Sequence, residues 1–282
     1  MFFLINKPSG FTSFDVIRKL RKITGIKKMG HTGTLDPLAT GALLIATDNS
    51  TKLISRLESN TKTYLFTVNM SLTSATLDLE GDITSISIES MINHTNNEVI
   101  KFLKNKTTQI PPKYSAIHID GRRAYDLIRK GKKFDIPERE IRVSNVEIVD
   151  VNLPSITIRL TISAGGYVRS FAPLIADFYG IPGGGCITML HRERIGDIDL
   201  SRSMGFDNLD LENTISYSEL LTNLPVYNLD LVYQKPLIDG IVIDVGTESE
   251  RSSGAEMLVY CGDICSLGKW TNHGIEVIRN YV

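Results

Sequence analysis

The sequence is poor in cysteine, with three (Cys186, Cys261 and Cys265) in 282 residues. So sparse and odd a set builds no disulfide framework, and a reducing compartment is expected. No further His or Cys beside Cys261 and Cys265 completes a zinc set, so they read as core thiols. No apolar run reaches the roughly 18 residues of a membrane span. The opening Met1-Phe2-Phe3-Leu4-Ile5-Asn6-Lys7-Pro8 is too short for a signal peptide and lacks its basic start. A soluble, cytoplasmic protein with no membrane partner is therefore expected. Neither a Walker loop nor a dinucleotide fingerprint occurs. A net charge of −1 also lacks the overall basic excess of a nucleic-acid binder.

That small net charge is an average over strong blocks. Residues 1–60 hold nine basic and four acidic side chains, a net of +5, and residues 101–142 hold twelve and five, a net of +7. Residues 61–100 stand at −4, residues 143–196 are balanced, and residues 197–282 stand at −9. Phosphate attraction depends on local basic patches, so two such blocks keep RNA in play where the total would dismiss it.

The chain is 42% hydrophobic, enough for a substantial core. Phe2-Phe3-Leu4-Ile5 reads as a short buried strand. Thr12 caps a helix with an acid, Asp15, three residues on; Val16, Ile17, Leu20 and Ile23 form its buried stripe, and Gly25 ends it. Apolar residues 42–47 read as a central strand. Residues 50–58 read as a short helix capped by Asp48 or Asn49, and residues 62–70 as a strand rich in β-branched and aromatic residues. The polar stretch 71–82 misses calcium-loop spacing and reads as a solvated loop. A helix is expected over 96–105, an extended linker over 109–116, and a basic helix closed by Gly131 within 120–133. Residues 109–141 together make an inserted basic arm with few apolar anchors. Residues 141–151 and 155–163 suggest paired strands, 171–179 a helix, 181–185 a glycine loop and 216–223 a last helix. Near residue 225 the composition turns acidic and strand-like. A boundary there leaves 1–225 as the larger domain and 226–282 as a small β-rich module, marginal on its own.

One stretch carries the chemistry: Gly30-His31-Thr32-Gly33-Thr34-Leu35-Asp36-Pro37-Leu38-Ala39-Thr40-Gly41. Its glycines, proline and threonines make a shaped loop. Its one carboxylate, Asp36, precedes a proline and is biased to an extended backbone. Basic blocks on both sides favour a functional loop over an ordinary turn.

This loop, Lys7-Pro8, Lys62 with Tyr64, Gln109-Ile110-Pro111-Pro112-Lys113-Tyr114-Ser115-Ala116, Tyr167-Val168-Arg169, and Leu190 with Arg192 together resemble the TruB family of tRNA pseudouridine synthases, in the family's order. The loop matches the family pattern at every position. The chain departs from it at Ala75, Pro173 and His118 and in a longer 181–185 loop. The resemblance implies an α+β pseudouridine synthase fold: a central mixed, mostly antiparallel sheet flanked by helices and loops. A small C-terminal β-rich, PUA-like module would follow.

The resemblance further implies conversion of a uridine in the T loop of tRNA, position 55, to pseudouridine by a monomer that uses no cofactor and no metal. Asp36, Tyr64 and Arg169 would be catalytic: Asp36 as nucleophile or stabiliser of the sugar, Arg169 as its charge partner, Tyr64 as platform for the flipped base and a candidate base. Substrate contacts would come from His31 as a wedge in the RNA, Lys7, Tyr167 and Leu190 around the pocket, and Asp78 as a second partner of Arg169. A second role in folding tRNA is compatible with the basic blocks. A glycosidase-like use of Asp36 would need a second carboxylate, and the loop offers none.

Overall fold

All of Phe2–Ile5 is buried, and alternate residues enter different cores. Strand side chains alternate between faces, so Phe3 and Ile5 pack one way and Phe2 and Leu4 the other. This is the first strand, β1 (Phe2–Lys7), in a computed structural model that describes residues 1–57, 60–115, 117–119, 121–129, 131–132, 134–245 and 253–281.

A reversal through Pro8-Ser9-Gly10 leads into α1 (Ser13–Thr24). Thr12 and Asp15 form the expected capping box, and Gly25 closes the helix in the left-handed conformation at φ 74°. Val16, Ile17 and Leu20 are buried as expected, but Ile23 is 49% exposed because the last turn lies outside the core cluster. Strand β2 (Met29–His31) then pairs antiparallel with β3 (Thr40–Thr47), and residues 32–39 span the gap as a loop. The short helix beyond β3 begins earlier than expected, with Asp48 inside a 3-10 turn that runs to Leu53 before an α-turn over Ile54–Leu57. Glu58, its expected last residue, lies outside the described residues.

Strand β4 (Lys62–Asn69) and two longer strands, β5 (Val143–Asn152) and β6 (Ser155–Ile162), arise where β-branched residues cluster. A strand the sequence reading lacks, β7 (Cys186–Ile195), lies between β3 and β4. The eight-stranded sheet runs β1-β3-β7-β4-β6-β5, with β2 and Ile198–Asp199 paired to its members. Only β3 and β7 run parallel, joined at His191 to Thr40 and Arg192 to Gly41, so the sheet is mixed and mainly antiparallel. Gly41 makes that join possible. At φ 101°, a Cβ there would stand 2.2 Å from the Arg192 carbonyl oxygen.

One face of the sheet is covered by α1, by α2 (Asn96–Lys104) and by α4 (Phe171–Phe178) through the larger core. Between them, α3 (Ala124–Arg129) sits in the basic arm, anchored by buried Ala124 and Leu127; Ala116, Asp120, Lys130 and Lys133 of that arm lie outside the described residues. The opposite face of β1 and β3 packs Phe2, Leu4 and Leu44 against Leu258, Cys265, Leu267 and Tyr281. These belong to a four-stranded C-terminal sheet ordered β8 (Val226–Asn228), β9 (Glu256–Cys261), β10 (Ile264–Thr271) and β11 (Gly274–Asn280). All three cysteines are free and buried. Among the described residues no helix is long and apolar enough to cross a membrane.

Candidate active site

The loop of residues 32–39 is held at nearly every residue. Leu35 donates its N–H to Ser13 Oγ (2.9 Å) and buries its side chain; Leu38 donates to Glu80 Oε1 (2.6 Å). Lys7 Nζ lies beneath, donating to the carbonyls of Phe11 (2.6 Å), Pro8 (3.0 Å) and Pro37 (3.2 Å). Lys7 is fully buried, and its donors all point at backbone. The structure places Lys7 beneath the Asp36-Pro37 backbone, which its ammonium supports. Burial draws its ammonium down to a pKa of about 8, against the opposing pull of Glu80 and Asp36.

So supported, Asp36 faces a cavity of about 330 Å³, within the usual range of small-molecule sites. Its side chain keeps 30% of its surface exposed, whereas Arg169 behind it keeps 6%. Arg169 Nη2 donates to Asp36 Oδ1 at 2.9 Å, and its Nη1 lies 3.4 Å from Asp78 Oδ2. The same guanidinium donates to the carbonyls of Thr76 (2.8 Å) and Tyr114 (3.0 Å). Burial raises the Asp36 carboxyl above the ordinary carboxylate value, Arg169 opposes that rise, and Asp78 adds to it. The result is a poorly solvated carboxylate, more basic than one in water, whose charge is held by one fixed cation.

Asp78 corrects the expectation of a solvated 71–82 loop. It is buried, accepts from Thr76 Oγ1 (2.6 Å), and draws the loop inward through Arg169. No group of three or more His, Cys, Asp or Glu side chains suited to a metal occurs among the described residues.

The cavity walls come from both sides of the sheet's centre. In the β4–β7 ladder Tyr64 opposes Arg192 and Phe66 opposes Leu190. Tyr64, Leu190 and Arg192 all line the cavity, with Lys62 two residues before Tyr64. The facing wall is the turn at Gly165-Gly166 followed by Tyr167 and Arg169. Burial raises the Tyr167 hydroxyl above the usual phenol value. Gln109 fixes this wall. Its Oε1 accepts from Tyr167 N (2.8 Å) and its Nε2 donates to Tyr167 O (2.8 Å). His31 stands off the cavity at the end of β2, and its Nδ1 accepts from Gly33 N at 3.3 Å. Burial and the nearby Arg192 lower its pKa, favouring a neutral ring.

The structure thus brings Asp36, Arg169, Asp78, Tyr64, Tyr167 and Leu190 together, and leaves Lys7 behind the loop and His31 beside it. Sequence reasoning passed over Gln109, Glu80, Thr32, Lys62 and Arg192 as site residues. For Arg192 a signal is present: on a strand, Leu190 and Arg192 share one face, but the charge-rich stretch 186–195 does not read as a strand from its composition.

The pattern on this frame matches the family model described as TruB family pseudouridylate synthase, N-terminal domain, over residues 21–168. The chain belongs to the TruB family. A Clostridium tetani protein named tRNA pseudouridine synthase B is 32% identical over 287 residues, covering 98% of this chain and 97% of that protein. A Fusobacterium nucleatum protein of the same name is 40% identical over 198 residues, covering 70% and 68%. Among solved structures, a chain from an H/ACA ribonucleoprotein bound to a substrate RNA containing 2′-deoxyuridine superimposes with a TM-score of 0.67 at 18% identity, over 100% of this chain and 84% of that one. That likeness shows that the two chains share a fold. Both the loop around Asp36 and the Gln109–Tyr167 clamp fall within the residues matched to the TruB family model.

Proposed function

We propose that this protein isomerises a uridine of tRNA to pseudouridine, at position 55 in the T loop, with Asp36 acting on the sugar. The observation that carries the reading is the Arg169–Asp36 pair, 2.9 Å apart in the wall of a cavity also lined by Tyr64, Tyr167 and Leu190. Isomerisation breaks the C1′–N1 bond and rejoins the ring through C5. It needs a carboxylate to meet the electron deficiency at C1′, either by bonding or by stabilising it. Asp36 is that carboxylate, and Arg169 keeps it charged as RNA excludes water. Atoms are neither gained nor lost, so no co-substrate or external redox partner is consumed.

The target base is stacked in folded RNA and has to be turned out. Tyr64 then serves as its platform, with Leu190 and Tyr167 closing the sides. A neutral His31, outside the cavity, suits the place the base vacates. Exposed Arg18, Lys19 and Lys22 on α1, together with the basic arm, supply phosphate contacts to the T-arm.

The test is incubation of an unmodified tRNA transcript with purified protein and no cofactor, followed by mapping of pseudouridine. Product at position 55 is expected with the wild type and none with Asp36→Asn, at nearly unchanged tRNA affinity. Full activity in that variant would remove Asp36 from its role. The same basic surfaces favour a second reading, aid to tRNA folding, in which Asp36→Asn still promotes recovery of misfolded tRNA.

A further inference from the structure

Arg192 is a second arginine in the cavity wall, and its situation differs from that of Arg169. It is 1% exposed. Its Nε donates to Ala42 O (2.6 Å) and its Nη2 to Gly33 O (3.1 Å). Among the described residues no carboxylate lies within ion-pair distance of it, because Asp36 and Asp78 both face Arg169. Its Nη1 has no hydrogen-bond partner there either, and Gly33 borders that side, where a Cβ would lie in ordinary contact 3.5 Å from Nη1. Thr32, also 1% exposed, lines the same cavity, and its buried hydroxyl meets no hydrogen-bond partner. A buried cation without an anion and a buried hydroxyl without a partner both carry a desolvation cost that a bound polar group relieves.

We propose that Arg192, assisted by Thr32, binds the pyrimidine ring of the target nucleotide and takes up the negative charge the ring acquires as it detaches. The inference rests on the isomerase reading above. In the bond-breaking step the C1′–N1 electron pair leaves with the ring, giving a uracil anion with charge on N1, O2 and O4, while Asp36 meets the electron deficiency at C1′. No external redox partner takes part. Arg169 serves the carboxylate and Arg192, in the same cavity wall, serves the ring. The register supports a ring ligand over a backbone phosphate: Arg192 sits directly across from Tyr64 in the ladder, on the face that also carries Leu190. A fixed donor aimed at charge that appears only during reaction contributes to rate rather than to binding.

The experiment compares wild type, Arg192→Gln, Arg192→Lys and Thr32→Val in single-turnover reactions. Two tRNA transcripts are used, one with uridine and one with 5-fluorouridine at the target. Loss of the N1-linked nucleoside after nuclease digestion gives the rate, and tRNA affinity and thermal stability are measured alongside. Fluorine makes the ring a better leaving group, so a residue that stabilises ring charge matters less to it.

Arg192→Gln is expected to slow the uridine reaction by about a hundredfold, the usual effect of removing one such donor. The loss should be clearly smaller with 5-fluorouridine, affinity should be unchanged, and Arg192→Lys should recover part of the rate. Thr32→Val removes no hydrogen bond within the protein, so it should keep full stability and show the same substrate-dependent loss to a lesser degree. Equal losses on both substrates, an unchanged rate, or a loss of tRNA affinity alone (the mark of a phosphate contact) would overturn the proposal. If Arg192→Gln does not fold, Thr32→Val makes the same comparison. A wild type that forms no pseudouridine would defeat the isomerase reading itself, which is a different result.

Discussion

Arg169 Nη2 lies 2.9 Å from Asp36 Oδ1, joining residues 133 positions apart in sequence. Asp36 comes from the loop between β2 and β3, and Arg169 from the 3-10 turn before α4. Because the guanidinium also reaches Asp78, one buried cation balances two acids. Removing it as Arg169→Met strands both, and breaking a buried pair in this way costs about 3–5 kcal/mol. Chemical denaturation should show a loss of that order, with activity abolished. A loss under about 1 kcal/mol would mean that the acids find another partner or are protonated together.

The clamp between Gln109 and Tyr167 is reciprocal and holds the backbone two residues before Arg169. Gln109→Leu keeps the volume and removes both bonds; Tyr167 O keeps Ser170 N as a donor, but Tyr167 N is left unpaired, at about 1–3 kcal/mol. The expected result is a lower kcat at nearly constant tRNA affinity, measured under single-turnover conditions.

Lys7 offers a pH signature. Its folded pKa of about 8 lies below the ordinary lysine value of 10.5. The unfolded chain therefore binds more protons between those values, and this contribution to stability rises with pH across the window. It is complete above about 10.5 and lost as pH falls through about 8. Urea titrations at several pH values should show wild type gaining on Lys7→Met between pH 8 and 10.5. Parallel curves would place the Lys7 ammonium in a better-solvated setting.

Residues 226–282, proposed from composition as a separate module, share a core with β1 and β3. Leu267 is 1% exposed and lies in one cluster with Phe2, Leu4 and Leu44. Leu267→Ala should cost about 2–5 kcal/mol, the usual range for a buried leucine. A chain ended at residue 225 should aggregate, since it uncovers that face of the sheet. Gel filtration of the truncated protein checks this.

Gly41→Ala should be more damaging than any of these single changes except Arg169→Met. The added methyl would meet the Arg192 carbonyl at 2.2 Å, and the backbone stands at φ 101°. The β3–β7 join cannot close around it, so soluble yield and melting temperature should both fall sharply.

By itself the sequence determined the features governed by near neighbours. The capping box at Thr12 and Asp15, the left-handed stop at Gly25, the strands rich in β-branched residues and the shaped loop around Asp36 follow from residues a few positions apart. The family pattern carried Asp36, Tyr64 and Arg169 to their positions. Tertiary structure alone decided which charges meet. Strand β7 is rich in charged residues, yet it occupies the sheet's centre, where Arg192 donates Nε and Nη2 to backbone carbonyls of two other segments. Asp78 turns inward from a polar loop because Arg169 awaits it, and Lys7 turns from the cavity because three carbonyls converge beneath the loop. A buried charge goes where distant parts of the chain supply its partner, and that partner is not written in the residues beside it.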